Sequence, residues 1–343
     1  MMRFSKIDGH AREFGMADGP ETTDVFFFEA FKEEAEALRR LLPSGIRAAF
    51  TPLTIQECAY GLPPSSFISI RTQSVIPHSW AGLLDGLLTR STGYDHVKAF
   101  LEASRRAVPA GYLPLYCSRA VAEQAVLLWM ALLRKLRRQI RQLVCFDRDG
   151  LTGGECLGRT LLVAGVGNIG SEICRLGRAL GMDVVGTDIV RKHRDIRYVS
   201  LAQGVPQADV IVCAMNLTEE NREIFRYEVL KQAKPGAVFV NIARGELSPH
   251  NDLLRLLDEG RLGGVALDVY ENEAELAVGL RSGSAGGNET VQAYLGLKDR
   301  ENVILTPHNA FNTTEALQRK AGQSAEQVVR FLSEKTFVWS VPA

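Results

Sequence analysis

Short apolar runs recur along the chain and alternate with segments of helical period. DVFFF (24–28), IRAAF (46–50), FISI (67–70) and GLLT (86–89) form a first series. After the first of these, FKEEAEALRRLL (31–42) places Phe31, Ala35, Leu38 and Leu42 on one helix face. A second series begins at TLLVAGVGNIG (160–170) and continues through DVVGT (183–187), DVIVCA (209–214), AVFVNI (237–242), GGVALDV (263–269) and NVILT (302–306). Strands that are apolar throughout, with helices between them, are the mark of parallel sheets covered on both faces. The pattern therefore predicts an α/β protein with two doubly wound parallel sheets. The stretch 118–143 lacks glycine and proline and predicts one long helix, apolar early and basic late. A second long helix is expected over 313–334, and an irregular polar lead-in over 1–22.

Length agrees with two domains, since 343 residues exceed what one core usually serves. Forty basic residues balance forty acidic ones, so no global field recruits nucleic acid or an anionic membrane, and neither partner is expected. The basic run Arg134, Arg137, Arg138 and Arg141 reads as a solvated helix face. No apolar run is long enough to span a bilayer, and MMRFSKIDGHAREFG is too polar for a signal-peptide core. Six scattered cysteines show no CxxC pair and no metal-ligand spacing. They read as buried thiols of a reducing compartment, so a cytoplasmic protein without a metal site is expected.

Candidate chemistry starts at Gly165-Val-Gly167-Asn168-Ile169-Gly170, which follows an apolar strand and opens a helix with Ile169, Ile173, Leu176 and Leu180 on one face. The first glycine permits a tight turn, the second lets backbone approach a pyrophosphate, and the third allows close helix–strand packing. The helix N-terminus offers unpaired N–H groups and a positive dipole to phosphate. Asp188 ends the next strand, at the spacing of an acid that holds a ribose 2′-hydroxyl. That carboxylate favours NAD over NADP, although Arg191, Lys192 and Arg194 follow at once.

Three later segments also end strands: Asn241-Ile-Ala243-Arg244-Gly-Glu, Asp268-Val-Tyr-Glu271-Asn-Glu273 and Thr306-Pro-His308-Asn-Ala-Phe311. Oxidation of a hydroxy acid by hydride transfer needs a proton acceptor for the hydroxyl and a cation for the carboxylate. An imidazole titrates near neutrality, which suits His308 to the first task. A carboxylate on its other nitrogen orients the ring and favours the imidazolium. Arg244 supplies a planar fork for the second task. The remaining histidines (His10, His78, His96, His193 and His250) show no metal pattern and are expected at the surface.

With GVGNIG and Asp188, NIARGEL, ALDVYENE and LTPHNAF in this order, the chain resembles the D-isomer-specific 2-hydroxyacid dehydrogenases from about residue 24 onward. The resemblance implies Arg244, Glu273 and His308 as the catalytic set, the spacing from Asp268 selecting Glu273 over Glu271. It implies Asp268 facing the nicotinamide carboxamide, with Asn216 and Ala243 also near the cofactor. RSTGYDHV (90–97) resembles the family loop whose backbone N–H groups hold the substrate carboxylate, implicating Thr92 and Gly93. YCSRAVAEQ (116–124) resembles the hinge entry and puts Tyr116 near substrate, with Phe311 after the catalytic histidine.

The long stretch between Asp268 and His308 leans towards the D-lactate dehydrogenase branch. Departures accompany it: Arg119, Gln124 and Asn216 stand where the family commonly carries asparagine, histidine and proline. Arg71 falls where D-lactate enzymes often place an aromatic residue and phosphoglycerate dehydrogenases an arginine, and is expected to meet a polar or anionic distal group of the substrate. Implied too are a substrate domain from 1–120 completed by 313–343, a Rossmann domain over 121–312, an active-site cleft between them, and a homodimer. The small 2-hydroxy or 2-oxo acid and NAD are then the ligands. An NAD(H)-sensing corepressor of the same family is the rival reading.

Overall fold

In the computed structural model, residues 23–282 and 289–342 are described. The lead-in expected over 1–22, with His10, lies outside them. The chain divides into two compact units, one formed by the segments up to 114 and from 320, the other by 115–319. The second division falls inside helix Thr314–Glu334.

The first unit is built on strands β1 (Val25–Phe27), β2 (Ala48–Phe50), β3 (Phe67–Ile70), β4 (Gly86–Thr89) and β5 (Ala110–Gly111). All pair in parallel, in the order β2-β1-β3-β4-β5. FISI and GLLT are buried at every position, which is why these runs show no alternation. Phe26, Phe28, Ile68, Ile70, Trp80, Leu87, Val97 and Phe100 pack in one core cluster.

The second unit holds β6 (Thr160–Ala164), β7 (Asp183–Thr187), β8 (Arg197–Tyr198), β9 (Val210–Cys213), β10 (Ala237–Asn241), β11 (Leu262–Leu267) and β12 (Val303–Leu305). Their order, β12-β11-β10-β9-β6-β7-β8, is parallel throughout and reverses direction between β6 and β9. This is a doubly wound Rossmann sheet, whose switch point lies at the carboxyl ends of β6 and β9. Leu162, Ala164, Ile211, Phe239 and Val265 are fully buried in its core.

The long helix expected over 118–143 is a correction. Helix Ser118–Leu133 ends, Lys135 takes a left-handed conformation, and a new helix runs Leu136–Gln142. The cause is distant in sequence. Gly154 N–H caps the Leu133 carbonyl at 2.9 Å, and a Cβ on Gly153 would stand 2.5 Å from that oxygen. The basic run is not simply a solvated face either. Arg137 donates to the carbonyls of Arg300 and Val303, and Arg141 pairs with Glu301 at 2.7 Å.

Candidate active site

At the switch point the turn 165–170 passes from β6 into helix Asn168–Ala179. Gly165 has φ +88°, and a Cβ there would lie 2.5 Å from the Met215 backbone. A Cβ on Gly170 would stand 1.9 Å from the Gly165 carbonyl oxygen. Both glycines are thus demanded by the protein itself. At Gly167 a Cβ would meet nothing within 4 Å, and the helix it opens has no side-chain cap. That open cradle, next to uncapped helix N–H groups at Asn168 and Ile169, fits a dinucleotide pyrophosphate. Asp188, just past β7, accepts the Val166 N–H at 2.6 Å and the Val190 N–H at 2.9 Å. Its carboxylate therefore shapes the glycine turn, a contact that motif spacing alone does not reveal. Asn216 is exposed beyond β9, where its carbonyl accepts from Asn221 Nδ2.

The same carboxyl end of the sheet carries the other chemistry, on three neighbouring strands. At the end of β10, buried Asn241 donates to the Arg244 carbonyl and to Ser248 Oγ, both at 2.8 Å, and accepts the Ala243 N–H at 3.0 Å. These bonds shape the turn that presents Arg244, whose guanidinium also donates to the Ala243 carbonyl. Gly245 packs against the chain after β11, where a Cβ would meet the Tyr270 backbone at 1.9 Å. So the Arg244 turn touches the backbone that leads to Glu273.

Glu273 Oε1 lies 2.6 Å from His308 Nδ1, both side chains being largely buried. Glu271 instead accepts the His250 N–H at 2.7 Å, and burial raises its carboxyl above the usual range. Geometry thus pairs His308 with Glu273. Asp268 is 1% exposed, and its carboxylate accepts Thr306 Oγ1 at 2.5 Å and the N–H groups of Asn309 and Ala310, each at 2.9 Å. Burial pushes its carboxyl up, against the opposing pull of His308 and these donors. His308 sits between them at φ +48°, a conformation that non-glycine residues avoid. Asp268 is therefore the brace of the histidine loop, a second role that the sequence does not announce.

In the first unit, Thr92 Oγ1 donates to the Leu113 carbonyl at 3.1 Å, and the Gly93 carbonyl accepts from Ser91 Oγ at 2.7 Å. Arg71 follows β3, with its N–H on Glu29 and its guanidinium 5.7 Å from the Phe31 ring centre. Tyr116 and Phe311, both in the second unit, are buried and meet edge to face at 6.2 Å. Exposed Arg119 pairs with Glu123 and Glu172. The surface expectation fails for His250, which is 1% exposed and which burial holds near a pKa of about 4. It caps the core beneath Tyr270, a position for which the sequence offers no local signal.

A Rossmann sheet with an open glycine cradle at its switch point, and an imidazole–carboxylate pair at the same end, defines a dinucleotide-dependent oxidoreductase. Residues 125–310 match the family described as "D-isomer specific 2-hydroxyacid dehydrogenase, NAD binding domain". A 2-hydroxyacid dehydrogenase A of Aspergillus oryzae is 31% identical over 267 residues, 76% of this chain and 76% of that protein. A D-lactate dehydrogenase of Streptococcus agalactiae is 32% identical over 237 residues, covering 67% and 70%. Among solved structures, the Aquifex aeolicus D-lactate dehydrogenase complexed with NAD and lactic acid superposes with a TM-score of 0.79 at 25% identity, over 93% of this chain and 100% of that one. The chain belongs to the D-isomer specific 2-hydroxyacid dehydrogenase family. It is an NAD-dependent oxidoreductase of 2-hydroxy acids.

Proposed function

We propose that His308 is the proton donor and acceptor, with Glu273 as its partner and Arg244 as the cation for the substrate carboxylate. The observation that carries this reading is the 2.6 Å contact of Glu273 with His308 Nδ1, made beyond the ends of β11 and β12, with β11 lying next to the β10 that presents Arg244. With Nδ1 engaged, Nε2 is the nitrogen that exchanges the proton with the substrate oxygen. In oxidation His308 takes the hydroxyl proton; in reduction the imidazolium returns it. NAD, when bound, accepts or supplies the C2 hydride. The cofactor rests on Gly165, Gly167, Asn168, Ile169 and Gly170, with Asp188 at the ribose and Asn216, Ala243 and Asp268 near the nicotinamide. Thr92 and Gly93 hold the carboxylate by their backbone, and Arg71, Tyr116 and Phe311 line the substrate side.

The unit of 115–319 is then the cofactor domain and the other unit the substrate domain. The likeness to D-lactate dehydrogenases supports a small D-2-hydroxy acid as substrate and reduction of its 2-oxo acid as the working direction. A homodimer is supported by the apolar residues that the second unit exposes at Ile140, Leu143, Val144, Phe146 and Leu157. Free cysteines, three of them buried, support a cytoplasmic location. No helix among the described residues is long and apolar enough to cross a membrane.

The test is NADH oxidation by the purified protein against a panel of 2-oxo acids, with NADPH in parallel and His308→Ala as control. Turnover that disappears in the control is the expected result. Tight NADH binding without turnover of any acid would move the reading to a cofactor-sensing corepressor.

A further inference from the structure

Helix His250–Asp258 begins without help from its own turn. Its cap position is Pro249, which makes no side-chain cap, and the acid of its first turn, Asp252, accepts the Tyr227 N–H at 2.7 Å instead. The acceptor at this helix start comes from a neighbouring strand. Glu271, beyond β11, takes the His250 N–H on Oε2 at 2.7 Å. A carboxylate there meets both a donor and the positive end of the helix. The imidazole of His250 is not its partner. Nδ1 stands 3.6 Å from the same oxygen, neither ring nitrogen has a hydrogen-bond partner among the described residues, and burial lowers the ring to a pKa of about 4.

The segment that leads into this helix is the one that presents Arg244. The turn 242–249 is pinned at its beginning by Asn241 and at its end by Glu271. Between the two, a Cβ on Gly245 would stand 1.9 Å from the Tyr270 carbonyl carbon and 2.2 Å from the Glu271 nitrogen. Tyr270 reaches the other side as well, its hydroxyl donating to the Thr306 carbonyl at 2.8 Å, two residues before His308. Asn272, at φ +47°, then separates two glutamates with different partners: Glu271 holds the helix start and Glu273 holds His308. Tyr270 and Glu271 thus join the Arg244 turn to the His308 segment. A carboxylate at 271 carries a penalty, because burial raises its pKa and Glu246, Glu223 and Asp252 add to the rise.

Resting on the roles proposed above for Arg244 and Glu273, we infer that Glu271 is a positioning residue that acts through Arg244. Its bond to the His250 N–H holds the turn 242–249 in the register that Arg244 needs to meet the substrate carboxylate. Glu273 orients the acid/base; Glu271, two residues earlier, orients the cation. Without that bond the turn keeps its start at Asn241 and loses its end. A shift of about 1 Å in the guanidinium is enough to spoil a two-point contact with a carboxylate.

The experiment measures kcat and KM for the best 2-oxo acid of the panel above, with NADH, in Glu271→Leu, Glu271→Gln, Arg244→Ala and the double variant Arg244→Ala/Glu271→Leu. Glu271→Leu should raise KM about tenfold or more, with kcat within about threefold and NADH affinity within about twofold of wild type. Glu271→Gln keeps an acceptor oxygen without the charge, so KM should return to within about twofold of wild type and Tm should not fall. In the Arg244→Ala background, adding Glu271→Leu should change kcat/KM by less than about twofold, because the group it positions is gone. The pH midpoint of kcat should stay at its wild-type value in Glu271→Leu.

A KM within about twofold of wild type in folded Glu271→Leu overturns the inference, as does a double variant whose losses multiply, the mark of a merely structural role. A shifted pH midpoint overturns it too, by moving the effect to the His308 pair. Should Glu271→Leu melt below the assay temperature, Glu271→Ala takes its place under the same criteria. Failure of the underlying reading looks different: Arg244→Ala itself would then keep a wild-type KM, and the inference would fall with it. If wild type turns over no acid, calorimetric titration of the acids onto the NADH complex replaces KM, and the same ratios decide.

Discussion

Glu273 Oε1 stands 2.6 Å from His308 Nδ1, and the two residues come from the ends of neighbouring strands 35 positions apart in the chain. The contact fixes which ring nitrogen is engaged, and in the proposed reaction Nε2 is the nitrogen that exchanges the proton. It also sets a carboxylate charge against the imidazole ring.

Glu273→Gln keeps a hydrogen-bonding oxygen but removes that charge. We expect kcat for 2-oxo acid reduction to fall by on the order of 10²- to 10⁴-fold. NADH affinity, read by fluorescence titration, should stay within about threefold, because the cradle lies on other strands. A kcat within about threefold of wild type would show that Glu273 does not act through His308.

Two glycines of one motif should behave in opposite ways. At Gly167 a methyl group meets nothing within 4 Å, so Gly167→Ala should leave Tm almost unchanged and weaken NADH binding by about tenfold or more. At Gly170 the methyl would stand 1.9 Å from the Gly165 carbonyl oxygen, so Gly170→Ala should lower Tm by several degrees. Thermal melts and NADH titrations on both variants decide it. Equal affinity in Gly167→Ala and wild type would remove the pyrophosphate from that turn.

The legible parts of this protein are those where local pattern and tertiary environment coincide. FISI, TLLVA and AVFVN read as strands because both sheet faces are covered, so every position is apolar. β5 and β8 escape such a reading, being two-residue strands without an apolar run. The break at Arg134–Lys135 escapes it because the cap on Leu133 arrives from Gly154, outside the helix. In the site, order and spacing point to Glu273 over Glu271, but the buried His250 that engages Glu271 carries no signal. The buried ion group of Glu34, Arg90 and Lys320 leaves no signal either. Glu34 sits in an ordinary KEEAEALRR helix, and Lys320 looks like any helix lysine until the fold buries it.

Asp268 offers a test of how the histidine loop is held. Asp268→Ala strands the buried Ala310 N–H and the part-buried Asn309 N–H, and costs about 1–3 kcal/mol for each that finds no water. It also releases the loop that keeps His308 at φ +48°. We expect a lower Tm together with a fall in kcat of about tenfold or more, larger than any loss of NADH affinity. A variant that loses stability but keeps full kcat would show that the loop holds His308 without its brace.

Burial beside Arg71 and Arg90, partly offset by Glu34, lowers the Lys320 amine from its ordinary 10.5 to about 7. Between those two values the unfolded chain binds a proton that the folded chain does not, so this group makes stability rise with pH across that window. Below pH 7 both states are protonated and the slope vanishes. The facing groups are silent there: Glu34, held at about 2 by Arg90 and Lys320, is already ionised, and arginines stay charged. Lys320→Met lacks the titrating group. The Tm of wild type minus that of Lys320→Met should therefore grow between pH 7 and pH 9, by about 2–6 °C. A constant difference would mean that Lys320 keeps its charge through the window, held by Glu34 more strongly than burial opposes it.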